Sequence, residues 1–352
     1  MNTVDIPSLT RHRLGTVLHD LCAVDTTPGR EDLLHPVLLS FLQELGADVH
    51  LQAVDPGRTN VLATWGQPHV LFSTHLDTVA PHVSPVLEPG RVRGRGACDA
   101  KGQVVAQLGA IAQLLREGWT GLGWLGVVGE ETDSAGAAKA LELAPRLPGL
   151  RVLVNGEPTE LKLGRGQRGV LVVRLTVAGQ SAHASEPERG RSAAWLLLDW
   201  LDRLRVEPLA VDAMLGPEVW NLGLLRAGEA VNSVPAHGEA HLQARTVPGT
   251  RILEALRRTC PEGGSVEVLL DEPWDHYPEL IGFDAATLPF GSDAPALRNL
   301  VPDRMVILVG PGSIREAHTL HEHITLDEVL AGVELNARLA KRFLDVDRQG
   351  AG

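Results

Sequence analysis

A chain of 352 residues, 44% hydrophobic and 22% charged, has globular composition and length enough for two domains. Its formal net charge of -12 argues against nucleic acid as a partner, because no Lys/Arg excess is present to neutralise phosphates. Cys22, Cys98 and Cys260 form no CxxC pair, which argues against a disulfide framework and a thiolate zinc site and fits a reducing cytoplasm. The opening "MNTVDIPSLTRHRLG" lacks the apolar core of a signal peptide, and no apolar run approaches the roughly 18 residues that span a bilayer. The expectation is a soluble, cytoplasmic protein without membrane partners.

Residues 11–45 read as two helices, the second ending at Gly46. Strands and helices then alternate. "VHLQAV" and "NVLATW" are expected strands, and "HVLFSTH" is an expected buried strand. "GQVVAQLGAIAQLLREG" carries apolar residues at helical spacing and stops at Gly118. "GLGWLGVVG" and "RVLVNG" are apolar runs too short for helices, as central parallel strands tend to be. The pattern predicts an α/β domain with a mostly parallel sheet. From residue 169 the order becomes β-α-β-β-α-β, the split βαβ of ferredoxin-like sandwiches, and it ends near residue 271. The chain then turns loop-rich, resumes with "RMVILVG" and closes on the helix "LDEVLAGVELNARLAKRFL". The expected organisation is therefore a catalytic α/β domain in two parts, 1–168 and 272–352, with 169–271 inserted between them.

In open α/β sheets, ligands collect at the carboxyl ends of the strands. His75 and Asp77 follow "HVLF", and Asp99 follows the glycine-rich "RVRGRGACDAKG" segment just before a helix. Glu130 and Glu131 end "GLGWLGVVG", Glu157 ends "RVLVNG", and His318 follows "RMVILVG" through "GPGSIREA". One carboxylate or imidazole at a strand end is ordinary. Five segments delivering them to one rim are not. Imidazoles and carboxylates without thiolates suit a catalytic zinc site, with cobalt or manganese as substitutes. Converging carboxylates repel one another, and two divalent ions about 3.5–4 Å apart would remove that conflict. Adjacent Glu130 and Glu131 point opposite ways on an extended strand, so one can ligate metal while the other serves as a base.

"STHLDTV", "GRGACDAKG", "GEET", "GEPT" and "AHTLHEH" resemble the metal-binding motifs of the family of acetylornithine deacetylase, succinyl-diaminopimelate desuccinylase and aminoacylase, dinuclear zinc amidohydrolases and metallopeptidases. The similarity covers nearly the whole chain in the family's order, with the inserted dimerisation domain in place. The resemblance implies two Zn2+ ions: one on His75, Asp99 and Glu157, the other on Asp99, Glu131 and His318, with Asp99 bridging. It implies that Asp77 sits behind His75 and fixes its tautomer, and that Glu130 takes the proton of the bridging water. His318 aligns as the ligand, and His321 and His323 as packing or surface groups. Cys98, the neighbour of Asp99, is expected to point away.

His183 in "GQSAHAS" resembles the inserted-domain histidine that reaches across a homodimer to polarise the scissile carbonyl. Asn232 in "AVNSVP" and Arg245 in "LQARTVPG" resemble positions that hold the substrate's carbonyl and α-carboxylate. Gln243 stands where the family often has an aspartate, a departure that bears on how Arg245 is oriented. Ser292, in "GSDAPAL", resembles a substrate-pocket residue. The chain's ending is most similar to the acetyl-lysine and acetylornithine deacetylase branch of lysine and arginine biosynthesis. That implies deacylation of Nα-acetylornithine or Nα-acetyl-lysine, free or linked to an amino-group carrier protein. The rival expectations are a dipeptidase, carboxypeptidase or succinyl-diaminopimelate desuccinylase on the same scaffold, or a relative that binds without catalysis.

Overall fold

Thr10 opens the first helix, α1 (Arg11–Cys22), and its hydroxyl accepts the Arg13 N–H, satisfying one of the donors left over at a helix start. Leu14, Val17, Leu18 and Leu21 recur at the spacing of one helical face, and all are buried. The second helix, α2 (His35–Glu44), follows a short 3-10 turn and ends ahead of Gly46. In this computed structural model the described residues are 6 and 9–349.

Beyond the helices the chain lays down β1 (Asp48–Asp55), β2 (Arg58–Trp65), β3 (Val70–His75), β4 (Leu122–Val127) and β5 (Val152–Asn155). With the strand Val306–Leu308 they form a six-stranded sheet in the order β1, β2, β4, β3, β5, Val306–Leu308. β3 runs parallel to β4 and β5, and Val306–Leu308 runs parallel to β5. β1 and β2 make an antiparallel pair, joined to the parallel core where β2 meets β4. Every residue of β3, β4 and β5 is buried, which is why these segments read as continuous apolar runs.

Helix α3 (Lys101–Arg116) bridges β3 to β4 and packs along the closing helix Leu326–Gln349. It stops in a Schellman closure: the Trp119 and Gly118 N–H groups return to the carbonyls of Leu114 and Leu115, with Gly118 at a φ of 79°. Two stretches of the chain that are far apart in sequence meet in a small ribbon. His323–Thr325 pairs antiparallel with Arg91–Arg93, which pairs in turn with Val86–Glu88.

By contacts the chain divides into two units: Met1–Arg165 with Tyr277–Ala286 and Ser292–Gly352, and Gly166–His276 with Thr287–Gly291. The second unit runs β6 (Gly169–Ala178), α4 (Ala193–Arg205), β7 (Val219–Ala227), β8 (His237–Thr246), α5 (Ile252–Arg258) and β9 (Gly264–Glu272). Its antiparallel sheet has the order β7, β8, β6, β9, the ferredoxin-like arrangement. Leu171, Val173, Leu175 and Val177 of β6 pack with Leu197, Trp200, Leu201 and Leu204 of α4 in a core of its own. The alternate residues of β6 face outward, where Thr176 meets Ser265 at 2.7 Å and Arg174 pairs with Glu267. The fold is thus α/β, with a mostly parallel sheet and an inserted βαββαβ unit. Among the described residues no helix is long and apolar enough to cross a membrane.

Candidate metal centre

His75 is the last residue of β3, and the buried strand carries it to the sheet's carboxyl edge. Its Nδ1 lies 3.0 Å from the main-chain oxygen of Asp77. A carbonyl oxygen can only accept, so a neutral His75 holds its hydrogen on Nδ1 and turns the Nε2 lone pair the other way. There it faces Oδ1 of Asp99 at 3.0 Å, another electron-pair donor. Two such atoms at that distance need a positive charge between them, either a proton on Nε2 or a metal ion.

Asp99 makes the same approach a second time. Its Oδ2 is 3.3 Å from Nε2 of His318, which is 2.8 Å from Oε1 of Glu131. Three sets of donors have all their ligand atoms within 4.8 Å of one another: His75, Asp99 and Glu157; Asp99, Glu131 and His318; and His75, Glu130 and Glu131. Asp99 belongs to two of them, with one oxygen toward each imidazole. The donor set of imidazoles and carboxylates fits divalent metal.

The electrostatics carry the same message. Burial pushes the carboxyls of Glu130 and Glu157 well above the usual range; His75 offsets part of this, and neighbouring carboxylates add to it. His318 is pushed up to about 10 by hydrogen bonds to Asp99 and Glu131. Burial lowers His75, yet hydrogen bonds to Asp77 and Asp99 reverse this and leave it well above the ordinary imidazole value. Asp99 is held below the carboxylate range because His318 and His75 outweigh its burial. Protons thus do here what divalent cations would do: they reconcile crowded carboxylates.

Asp77 is fully buried, and its carboxylate serves the turn that follows β4. Oδ1 and Oδ2 accept the N–H groups of Glu130 and Glu131 at 3.2 and 2.9 Å. Its closest approach to the His75 ring is through its main-chain oxygen, with Oδ1 at 3.5 Å. The same turn is held from β2. Arg58 donates twice to Asp133, at 3.0 and 2.6 Å, and Asp133 accepts the Ala135 N–H.

The remaining expected residues are placed as follows. His183 is exposed in the second unit, with Nδ1 2.7 Å from Ser185 Oγ, and the exposed Asn232 accepts the Ala184 N–H through its main-chain oxygen. Arg245 is half-buried on β8, opposite Val219 and Val170, with Gln243 exposed two residues before it. Ser292 is buried, and its hydroxyl accepts the Ala294 N–H. His323 turns to Glu316, His321 is exposed, and the Cys98 thiol faces the Ser313 carbonyl; none of the three is in a donor set.

Two residues of the site went unnoticed in the sequence, Arg95 and Glu322. Glu322 Oε1 accepts the N–H of Asp99 itself, at 3.1 Å. The available signal was a charged residue lodged inside each ligand motif, "GRGACDAKG" and "AHTLHEH".

A parallel sheet that gathers such a cluster at its carboxyl edge defines a class, the metal-assisted hydrolases of α/β architecture. The model of the peptidase family M20/M25/M40 matches residues 71–342, and the chain belongs to that family. Its members hydrolyse amide bonds, and this chain is such a hydrolase. A protein of Aspergillus terreus named as a probable carboxypeptidase is 34% identical over 375 residues, covering 93% of this chain and 85% of that one. The chain also resembles the aminopeptidase PepT of Bacillus cereus, with a TM-score of 0.79 and 22% identity over 95% of this chain and 99% of that one. The YXEP protein of Bacillus subtilis, described as a dinuclear metal-binding peptidase, has a TM-score of 0.71 and 15% identity over 95% and 98% of the two chains.

Proposed function

We propose that the protein is a dinuclear-metal carboxypeptidase of short peptides, dipeptides included. The observation that carries this reading is Asp99, shared by two donor sets beside Glu130 at the strand ends. His75, Asp99 and Glu157 would hold one ion, and Asp99, Glu131 and His318 the other, zinc being the metal this donor set suits. When bound, the ions lower the pKa of water from 15.7 toward about 7 and polarise the amide carbonyl. Glu130 takes the proton from the attacking water and delivers it to the leaving amine. Asp77 keeps Glu130 and Glu131 in place through their N–H groups. The resemblance gives Arg245 the substrate's α-carboxylate, Asn232 and His183 its carbonyl, and Ser292 a place at the pocket, with His183 supplied by a second copy of the chain.

A free α-carboxylate is common to peptides and Nα-acyl amino acids, so Arg245 does not separate the two substrate classes. The name of the 34% identical relative favours peptides over the expected Nα-acetylornithine or Nα-acetyl-lysine. The deciding experiment measures kcat/KM with zinc or cobalt on dipeptides, blocked peptides with free C-termini, and Nα-acetyl and Nα-succinyl amino acids. Peptides with a free C-terminus are expected to be turned over best. Preference for Nα-acetylornithine or Nα-acetyl-lysine would replace this reading with the deacylase one.

A further inference from the structure

Arg95 and Glu322 form an ion pair that the chemistry of the cluster does not use. Each residue is 1% exposed, and Nη1 of Arg95 lies 2.6 Å from Oε2 of Glu322. Taking two charges out of water is costly unless their remaining donors and acceptors are also satisfied. Here they are. Glu322 Oε1 accepts the N–H groups of Cys98 and Asp99, both at 3.1 Å. Arg95 donates to the carbonyls of His318 at 3.4 Å, Thr319 at 3.3 Å and Pro81 at 3.3 Å. One ion pair therefore grips the main chain at Asp99 and at His318 together. Among the described residues it makes no hydrogen bond to His75 or Glu157.

His318 needs such a grip. Its φ is 64°, in the left-handed region that residues with side chains rarely enter. The ribbon that pairs Arg91–Arg93 with His323–Thr325 brings the two segments side by side, but its paired residues stop short of Asp99 and His318. The planar guanidinium does what a ribbon cannot, because its fork meets a carboxylate and main-chain carbonyls at once.

We infer that Arg95 and Glu322 are positioning residues that set the spacing of Asp99 and His318, and so tune the affinity of the Asp99–Glu131–His318 site for its ion. The His75–Asp99–Glu157 site shares Asp99 but takes its other two ligands from the ends of β3 and β5, which the ion pair does not touch, so it depends on them less. This rests on the two-ion reading given above.

The test is a calorimetric titration of the metal-free protein with Co2+. The wild type is expected to bind in two steps, and His318→Ala identifies which step belongs to the Asp99–Glu131–His318 site. Arg95→Lys keeps a cation beside Glu322 but loses the fork to the carbonyls. In Arg95→Lys and in Glu322→Gln that step is expected to weaken by about 10–100-fold while the other holds. Excess metal should then restore turnover in Arg95→Lys, which a folding defect would not allow. Melting of each metal-free variant is followed by circular dichroism, and if Glu322→Gln fails to fold, Arg95→Lys decides. Both steps at wild-type affinity, or both weakened alike, would overturn the inference, as would a lowered melting temperature with that step unmoved. A wild type that binds one equivalent would defeat the two-ion reading instead.

Discussion

Asp99 and Glu130 each share a donor set with His75, yet their chemistry demands opposite outcomes on substitution. Asp99 points one oxygen at His75 and the other at His318, so it cannot be removed without disturbing both donor sets. Asp99→Ala is expected to lose both ions. Glu130→Gln keeps the size of the side chain and the N–H that Asp77 accepts, but it cannot take up a proton. Turnover is expected to fall by about 10²–10⁴-fold with metal content unchanged. Elemental analysis beside a rate assay checks both, and near-full metal in Asp99→Ala would break the shared-ligand assignment. Glu130 was legible because it follows an apolar run, and Asp99 because it stands in a glycine-rich motif just before a helix, so chemistry and sequence position coincide. Arg95 and Glu322 were not, since they act through main-chain N–H and carbonyl groups that only the folded chain brings near. The carboxylate of Asp77 was hidden in the same way, because its partners depend on how the turn after β4 is wound.

That turn shows how an element carries a site. Gly129 has a φ of 83°, and a Cβ there would lie 1.8 Å from Nη2 of Arg58 and 2.8 Å from Oδ1 of Asp133. Gly129→Ala must therefore displace the clamp that holds the residues after β4. Gly118 is the control, with a similar φ of 79° but nothing within 4 Å of an added Cβ. Both substitutions bear the left-handed backbone penalty of about 1–2 kcal/mol. Gly118→Ala is expected to lose stability by that amount and keep its activity. Gly129→Ala is expected to lose about 10²-fold in kcat/KM as well, because Glu130 and Glu131 move. Equal activity in the two variants would mean that Arg58 and Asp133 do not hold the turn. The long strands and helices were readable from period and length, whereas the ribbon of Val86–Glu88, Arg91–Arg93 and His323–Thr325 was not. Three residues of pairing leave no period to detect, and His323–Thr325 lies more than two hundred residues from Arg91–Arg93.

For the whole molecule, the cluster ties together segments from His75 to His318, all within the first unit. An unfolded chain cannot offer that arrangement, so ions bound there stabilise the folded state alone. At a free concentration 100 times Kd, one site adds about 2.7 kcal/mol. The metal-free protein should respond to pH in a defined direction. Glu130 and Glu157 have folded pKa values raised above 4.5, so the folded state binds more protons than the unfolded one, and stability is lost as pH rises above that value. His318 acts in the same sense, its stabilising contribution being complete below 6.5 and lost as pH rises toward about 10. Asp99, held below 3.8, acts oppositely but only in acid. Between pH 5 and pH 8 the metal-free protein is therefore expected to lose stability at these sites, while the loaded protein is spared because cations replace the protons. The gap in melting temperature between chelator-treated and metal-loaded protein should widen across that range. A gap that stays constant, or closes toward pH 8, would show that these carboxylates are not what the ions relieve.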